Sequence, residues 1–507
     1  MVGKTRSPTN RLVSAGRIRK IHDHNNRGIT NSHVVHRSTI QGSRLEAQGR
    51  VWIAVGMLLS QRVTRTLFLL VLGIVSIWQG VAWGESRVTS APGIQPAEEI
   101  TRSLEWLRSQ VVPNHFITTP DPRRRGLILS YAPTPSRTGP IHRKAFIYDV
   151  ALAAIAFSMA GDWTNASLVL NALVRVQRSD GSFWFSYNVE NTWPEDGDHD
   201  MAVIRAGAMA WAGYALAFYL ENRPSTNEPR ALRERALFLS AARAVTDFLL
   251  TLRVMDSSKA QGLLRGGRAT VLLGMDPRGT ITESYEDQPI RWISTEHNIS
   301  SYFLLTAMSL LTDDPRYRDA AHAIQSTLLA ELWQDDLGQF AQGMREDGAI
   351  DRTRALDCAS WGALFLFAIG EKDKMAQAMS TVDRVYKSEH RGIRGYRPYS
   401  EAPVYDNPRI ERALLPDAPD VQWQNLPFVW SEGTLGVALG QLRLGNVARA
   451  RGLLIEMLKL REGGGLQYAS RELPYEFVGD PSVGGTAWHI IVEETLRNPN
   501  APTVWTR

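Results

Sequence analysis

Six stretches of this chain are too apolar to lie on a surface, and each opens with polar residues. Tyr148-Asp149 precedes Val150 to Ala160, Ile204-Arg205 lies within Met201 to Leu220, and Glu296-His297-Asn298 leads into Ile299 to Leu311. Leu356-Asp357 precedes Cys358 to Gly370, Ser431-Glu432-Gly433-Thr434 precedes Leu435 to Leu444, and Gly484-Gly485-Thr486 precedes Ala487 to Leu496. Rich in Ala, Gly, Leu and Phe, these segments read as helices that other structure must enclose, because a helix without a polar face is not stable against water. Amphipathic, charged segments alternate with them: Ala97 to Val112, Trp163 to Val176, Ala231 to Leu252, Pro315 to Trp333, Glu371 to Ser388 and Asn446 to Leu460. These bury one face only. From Ala97 onward, inner and outer helices therefore alternate.

The connections agree. Gly161-Asp162, Asp313-Asp314-Pro315, Gly370 and Gly445-Asn446 stand where an inner helix ends and an outer one begins. Gly or Asn suits the end of a helix, Asp the cap of the next, and Pro315 its first turn. The return links are longer and carry Gly-aromatic elements such as Asp180-Gly-Ser-Phe-Trp-Phe-Ser-Tyr187 and Gly463-Gly-Gly-Leu-Gln-Tyr468. Val271 to Gly274 and Gly279 to Ser284, around Asp276-Pro-Arg-Gly279, predict a β-hairpin inserted in one of them.

Six hairpins whose inner helices run the same way either stack as a linear solenoid or close into a toroid. Closure is favoured, since a solenoid's concave helices face water and these do not. The expected class is all-α, a six-hairpin toroid with a small β-hairpin insertion. With this hairpin count, the Gln177-Arg-Ser-Asp-Gly-Ser-Phe183 turn, and the inner-helix starts Ser294-Thr-Glu-His-Asn298 and Trp430-Ser-Glu-Gly-Thr434, the chain resembles the six-hairpin (α/α)6 glycosidase superfamily. That superfamily includes glucoamylases, some endoglucanases and unsaturated-glucuronyl hydrolases, and the fold also carries lyases, epimerases and sugar phosphorylases. The resemblance runs from about Ala97 to Asn498, selects no single family, and implies action on a carbohydrate.

The formal charge of +5 is misleading about partners. Residues 1–65 hold 12 Lys or Arg against 2 acidic residues, so the remainder is near −5. A mildly acidic body lacks the basic face of a nucleic-acid binder. Residues 1–56 have no periodicity and read as a disordered or non-native extension. Met57 starts a secretory signal over residues 57–84: a basic stretch at Gln61 to Arg65, an apolar run from Leu67 to Trp78, and the small-x-small site Ala82-Trp83-Gly84. An uncleaved membrane anchor over residues 66–81 is the alternative, although the run is short for a span of about 20 residues. Residues 85–96 read as a linker, 97–498 as the toroid and 499–507 as a tail. Periplasmic or secreted location follows from the signal.

Parallel inner helices gather their N-termini at one mouth, so Glu432, Glu296, Asp149 and Asp357 should converge there as candidate catalytic groups. Glycosidic cleavage needs two carboxyl groups about 5 to 9.5 Å apart, one protonated and one ionised. The competing reading is that each acid caps its own helix or pairs with Arg205 or another base. Glu432 ranks first, because Gly433-Thr434 would admit a ligand close to the backbone, and Glu296 second. His297 orients a carboxylate, binds substrate, or is a hydrogen-bonded core histidine. Arg205, Trp184, Tyr187, Trp292, Tyr396, Trp423 and Trp430 complete the expected substrate contacts, since apolar sugar faces stack on aromatic rings. Of the loop rings, including Trp193, Tyr399 and Tyr468, about half are expected to face the cleft, 15 Trp being more than packing calls for.

Glu195-Asp-Gly-Asp-His-Asp200 begins like a calcium loop, but its sixth position is Met201 and its twelfth Gly207, so it reads as an acidic rim. One cysteine, Cys358, excludes an intramolecular disulfide and a cysteine-rich zinc site. No metal or other cofactor is expected. The expected activity is glycoside hydrolysis. A polysaccharide lyase or uronate epimerase, with Arg205 or Arg394 holding a carboxylate, is the second reading, and a non-catalytic carbohydrate-binding or assembly protein the third.

Overall fold

The computed structural model describes residues 96–133, 139–192, 194, 202–400, 425–473 and 477–506. The expected extension, signal, most of the linker, Trp193, the acidic rim and Trp423 lie outside them. Twelve α-helices stand among the described residues. The outer set is α1 (Pro96–Gln110), α3 (Trp163–Val176), α5 (Pro229–Thr251), α7 (Pro315–Thr327), α9 (Lys372–Val385) and α11 (Val447–Leu458). The inner set is α2 (Ile147–Met159), α4 (Ala206–Asn222), α6 (Thr295–Thr312), α8 (Leu356–Ala368), α10 (Ser431–Arg443) and α12 (Val483–Arg497). Each inner helix packs on the next around the ring, and α12 returns to pack on α2 and on α1. The ring is closed.

Residue chemistry sets the two layers. In α4 every residue from Ala206 to Leu220 is buried, whereas α7 buries only Tyr317, Ala320, Ala321 and Ile324. The tight turns follow the expected chemistry. Gly161, Gly370 and Gly445 have φ of +73°, +84° and +80°, a left-handed region that glycine enters without steric cost. Asp162 accepts from the Asn165 N–H and Asp314 from the Arg316 N–H, capping α3 and α7.

Two boundaries differ from expectation. Helix α4 begins at Ala206, five residues after Met201, because Ile204–Arg205 forms strand β1. That strand pairs with β2 (Gly267–Met275), which pairs in turn with β3 (Ile281–Ile290). The expected hairpin is thus longer at both ends, its turn fixed by Asp276 Oδ1 accepting from the Arg278 and Thr280 N–H groups. The other long links also carry short antiparallel strands, such as Lys144–Phe146 on Ser186–Asn188 and Lys387–His390 on Ile393–Tyr396.

The C-terminal residues are not a free tail. Thr503, Val504 and Trp505 are buried, and the Trp505 N–H donates to the Tyr214 hydroxyl at 2.9 Å. The Trp505 ring stacks on Phe303 with 4.8 Å between centroids and packs on Trp211 at 4.8 Å and Trp361 at 5.0 Å. Trp488 joins Trp211 and Trp361 at 6.1 and 6.0 Å. This aromatic column fills the middle of the toroid, below the mouth.

Candidate active site

The mouth is built from the first turns of the inner helices. Asp149 on α2, Glu296 on α6, Asp357 on α8 and Glu432 on α10 each lie in the opening turn. None caps its own helix: α2, α8 and α10 have no side-chain cap, and α6 is capped by Ser294 Oγ accepting from the His297 N–H. Among the described residues, no arginine or lysine is among the neighbours that shift any of the four. Among the described residues, neither a cap nor an ion pair accounts for them.

Helix α12 places no acid between Asp149 and Glu432 but Gly484. A Cβ there would stand 2.7 Å from Glu432 Oε2 and 3.3 Å from Asp149 Oδ1. The two carboxylate oxygens are consequently no farther apart than the sum of those distances, about 6 Å. The glycine makes room for both. Tyr148 donates a hydrogen bond to Glu432 Oε1 and accepts one from Trp488 Nε1 at 3.0 Å. With Oε1 committed as an acceptor, a proton on Glu432 sits on Oε2, the oxygen beside Gly484. Ser130 Oγ accepts from the Phe146 N–H at 2.9 Å and hydrogen-bonds Asp149.

Burial dominates the titration of all four. It pushes Asp149 up to about 7 against the opposing hydrogen bond from Ser130. It pushes Glu432 well above the usual carboxylate range, with the charges of Asp149, Asp357 and Glu296 adding to it and the Tyr148 hydrogen bond opposing it. Asp357 is raised strongly by burial and by Glu296, and Glu296 is raised by burial. Carboxyl groups forced to share a site separate into protonated and ionised members. Glu432 and Asp357 are the two raised furthest.

Tyr131 and Tyr468 border this cluster, for their hydroxyls are raised by burial and by Asp149 and Glu432. Their rings meet edge to face at 5.8 Å. His297 and Arg205 lie on the α4 and α6 side. The imidazole packs on Trp292 with 5.7 Å between centroids and fills the space a Gly207 side chain would take. Burial and the Arg205 charge hold it down to about 3, so it is neutral. Trp292 remains half-buried over Gly266.

Other expected contacts are elsewhere. Trp184 is buried under the Arg178 guanidinium at 3.9 Å, and the Tyr187 hydroxyl donates to the Val176 carbonyl at 2.7 Å. Tyr396 is buried against the outer layer, donating to Asp383 at 2.8 Å. Trp430, by contrast, stays beside the mouth, edge to face with Tyr468 at 6.2 Å, but it is buried with its ring over Gly433, so that glycine admits its own neighbour's ring and not a ligand. Arg394 is exposed and paired with Glu456 at 2.8 Å. Tyr131, Tyr148 and Gly484 carry the mouth's geometry without having been singled out as site residues. The signal available for Tyr148 was its place beside Asp149 in a helix's first turn.

No protein-family model matches the sequence, and no curated protein matches it. Solved structures do. The chain is similar to D-mannose isomerase over 81% of its length and 100% of that chain, with a TM-score of 0.52 at 12% identity. Cellobiose 2-epimerase from Bacillus thermoamylovorans matches over 79% of this chain and 98% of its own, with a TM-score of 0.52 at 10% identity. A glycosidase in complex with glucose matches over 80% and 100%, with a TM-score of 0.51 at 12% identity. By fold, this chain is an (α/α)6 toroid, the architecture it shares with these solved structures.

Proposed function

We propose that this protein is an exported glycoside hydrolase that cleaves an oligo- or polysaccharide at the mouth of the toroid. The observation that carries the reading is the pairing of Glu432 and Asp149 across Gly484, two buried carboxyl groups with no cation beside them among the described residues, Glu432 raised well above the carboxylate range and Asp149 raised to about 7. Glu432, with its proton on Oε2, serves as the general acid to the leaving oxygen. Asp149 serves as the nucleophile, since facing oxygens no more than about 6 Å apart are compatible with the roughly 5 to 5.5 Å of double displacement and fall short of the roughly 6.5 to 9.5 Å that accommodates a water. Glu296 and Asp357, on adjacent helices farther round the ring, accept and donate to sugar hydroxyls. The glycosidase neighbour supports the substrate class.

The test is a panel of neutral and uronate-containing polysaccharides, read both for new reducing ends and for absorbance near 230 nm. Reducing ends without absorbance are expected, with retention of anomeric configuration by NMR. Absorbance at 230 nm would replace hydrolysis with β-elimination, the second reading, for which the neutral His297 beside Arg205 is the specific observation. Export rests on the basic, apolar and small-residue order of Met57 to Gly84. N-terminal sequencing should place the mature start after that segment, and a product retaining Leu67 to Trp78 contradicts it.

A further inference from the structure

Among the described residues, Arg205 is a cation without a counter-ion. Its Nη1 donates to the carbonyls of Ala269 at 2.6 Å, Ile204 at 3.2 Å and Arg268 at 3.4 Å, the backbone of β1 and β2 that it helps to join. Those are its only partners among the described residues, and all engage one nitrogen. Nε and Nη2 have none, yet neither is among the buried unpartnered atoms, so both are accessible. The groups whose titration is coupled to its charge are His297 and Tyr285. Neither carries negative charge at neutral pH. The imidazole is neutral, and the Tyr285 hydroxyl donates to the Ala202 carbonyl at 2.7 Å.

A half-buried guanidinium with three carbonyls on one side and an open edge on the other is incompletely compensated, because removing a cation from water is costly unless an anion or a full set of acceptors replaces the hydration. The Nε and Nη2 donors lie parallel along one edge, the geometry that grips two oxygens of a carboxylate or sulfate at once. Carbonyl bonds on Nη1 fix the direction of that edge. In ring order Arg205, the residue before α4, stands between Asp149 on α2 and Glu296 on α6, and its charge reaches His297 in the first turn of α6.

We infer that the Nε–Nη2 edge of Arg205 is a receptor for an anionic substituent of the sugar, a carboxylate or a sulfate ester, and that the substrate is an acidic saccharide. This rests on the reading that the mouth binds carbohydrate. The experiment measures binding by calorimetry to the full mature chain carrying Glu432→Gln, using glucose, glucuronate and glucose 6-sulfate as probes at low salt. At least one of the two anionic sugars is expected to bind about 10- to 100-fold more tightly than glucose, the range of a bidentate charge-assisted contact, and which one does so identifies the anion. Arg205→Met should erase that advantage, so that the anionic sugars bind the variant no more tightly than glucose binds the same variant. Should Arg205→Met not fold, Arg205→Lys keeps a donor for the Ala269 carbonyl and a charge but not the fork, and should lose most of the advantage. Equal affinity for all three sugars, or an advantage that survives both substitutions, overturns the assignment. Release of reducing ends from a polysaccharide by the Glu432→Gln chain would remove the hydrolytic reading while leaving the anion comparison intact, so the two failures are distinguishable.

Discussion

Asp149 links the chemistry of the mouth to the stability of the protein. The residue is 7% exposed and burial raises its carboxyl from 3.8 to about 7, so the folded chain holds this proton more tightly than the unfolded one. Its contribution to stability is therefore greatest below the unfolded value, declines as pH rises through the interval between the two, and is fully adverse above the folded value. The whole interval corresponds to at most about 4 kcal/mol. Asp149→Asn keeps an acceptor for Ser130 and removes the titration. Urea unfolding of both proteins at pH 5 and pH 8 should show the variant gaining on the native protein at the higher pH, and an unchanged difference would mean that Asp149 is not so raised. The acids of the mouth were legible in the sequence because each opens an apolar helix, where a charge needs a reason. Their protonation states were not, since these depend on what stands behind each carboxyl: Gly484 and Tyr148 behind Glu432, Ser130 behind Asp149. Nor was the separation of mouth aromatics from packing ones, because Tyr187, Tyr396 and Tyr468 are alike in sequence and differ in which face of a short strand or turn they occupy.

At the scale of the elements, long helices were read nearly to their ends, Trp163–Val176 among them, because twelve or more residues of one period leave little ambiguity. Strands of two to four residues at the mouth carry no period, and only the hairpin that became β2 and β3 announced itself through its turn. The last residues were misjudged for a related reason. Asn498 to Thr506 contains no helical or strand pattern, yet Trp505 completes a column of rings with Phe303, Trp211 and Trp361. A ring buried to 1% exposure in such a column is core wherever it falls in the chain. Trp505→Ala should cost about 3 to 5 kcal/mol, the usual loss for a buried aromatic. Thermal or urea unfolding checks this, and a loss within about 0.5 kcal/mol, the range of an ordinary surface change, would show that the tail does not seal the toroid.

The molecule as a whole turns a repeated local rule into a single site. Six inner helices with polar starts, run in parallel and closed into a ring, bring residues nearly 300 positions apart to one mouth, and no family model is needed to see why acids meet there. Closure was legible from the absence of a polar face on any inner helix, and the return of α12 onto α2 is its structural form. What the ring holds in its mouth is the central claim, and Glu432 tests it most directly. On whichever polysaccharide yields reducing ends, the rates of the native protein, Glu432→Gln, Asp149→Asn and the double variant are compared, with sugar binding measured beside them. Loss of about 10²- to 10⁴-fold in each single variant, binding largely kept, and a double variant little worse than either single is the expected result, since paired groups act as a unit. A Glu432→Gln protein that turns over at the native rate, its melting temperature lowered and nothing else changed, would contradict the account.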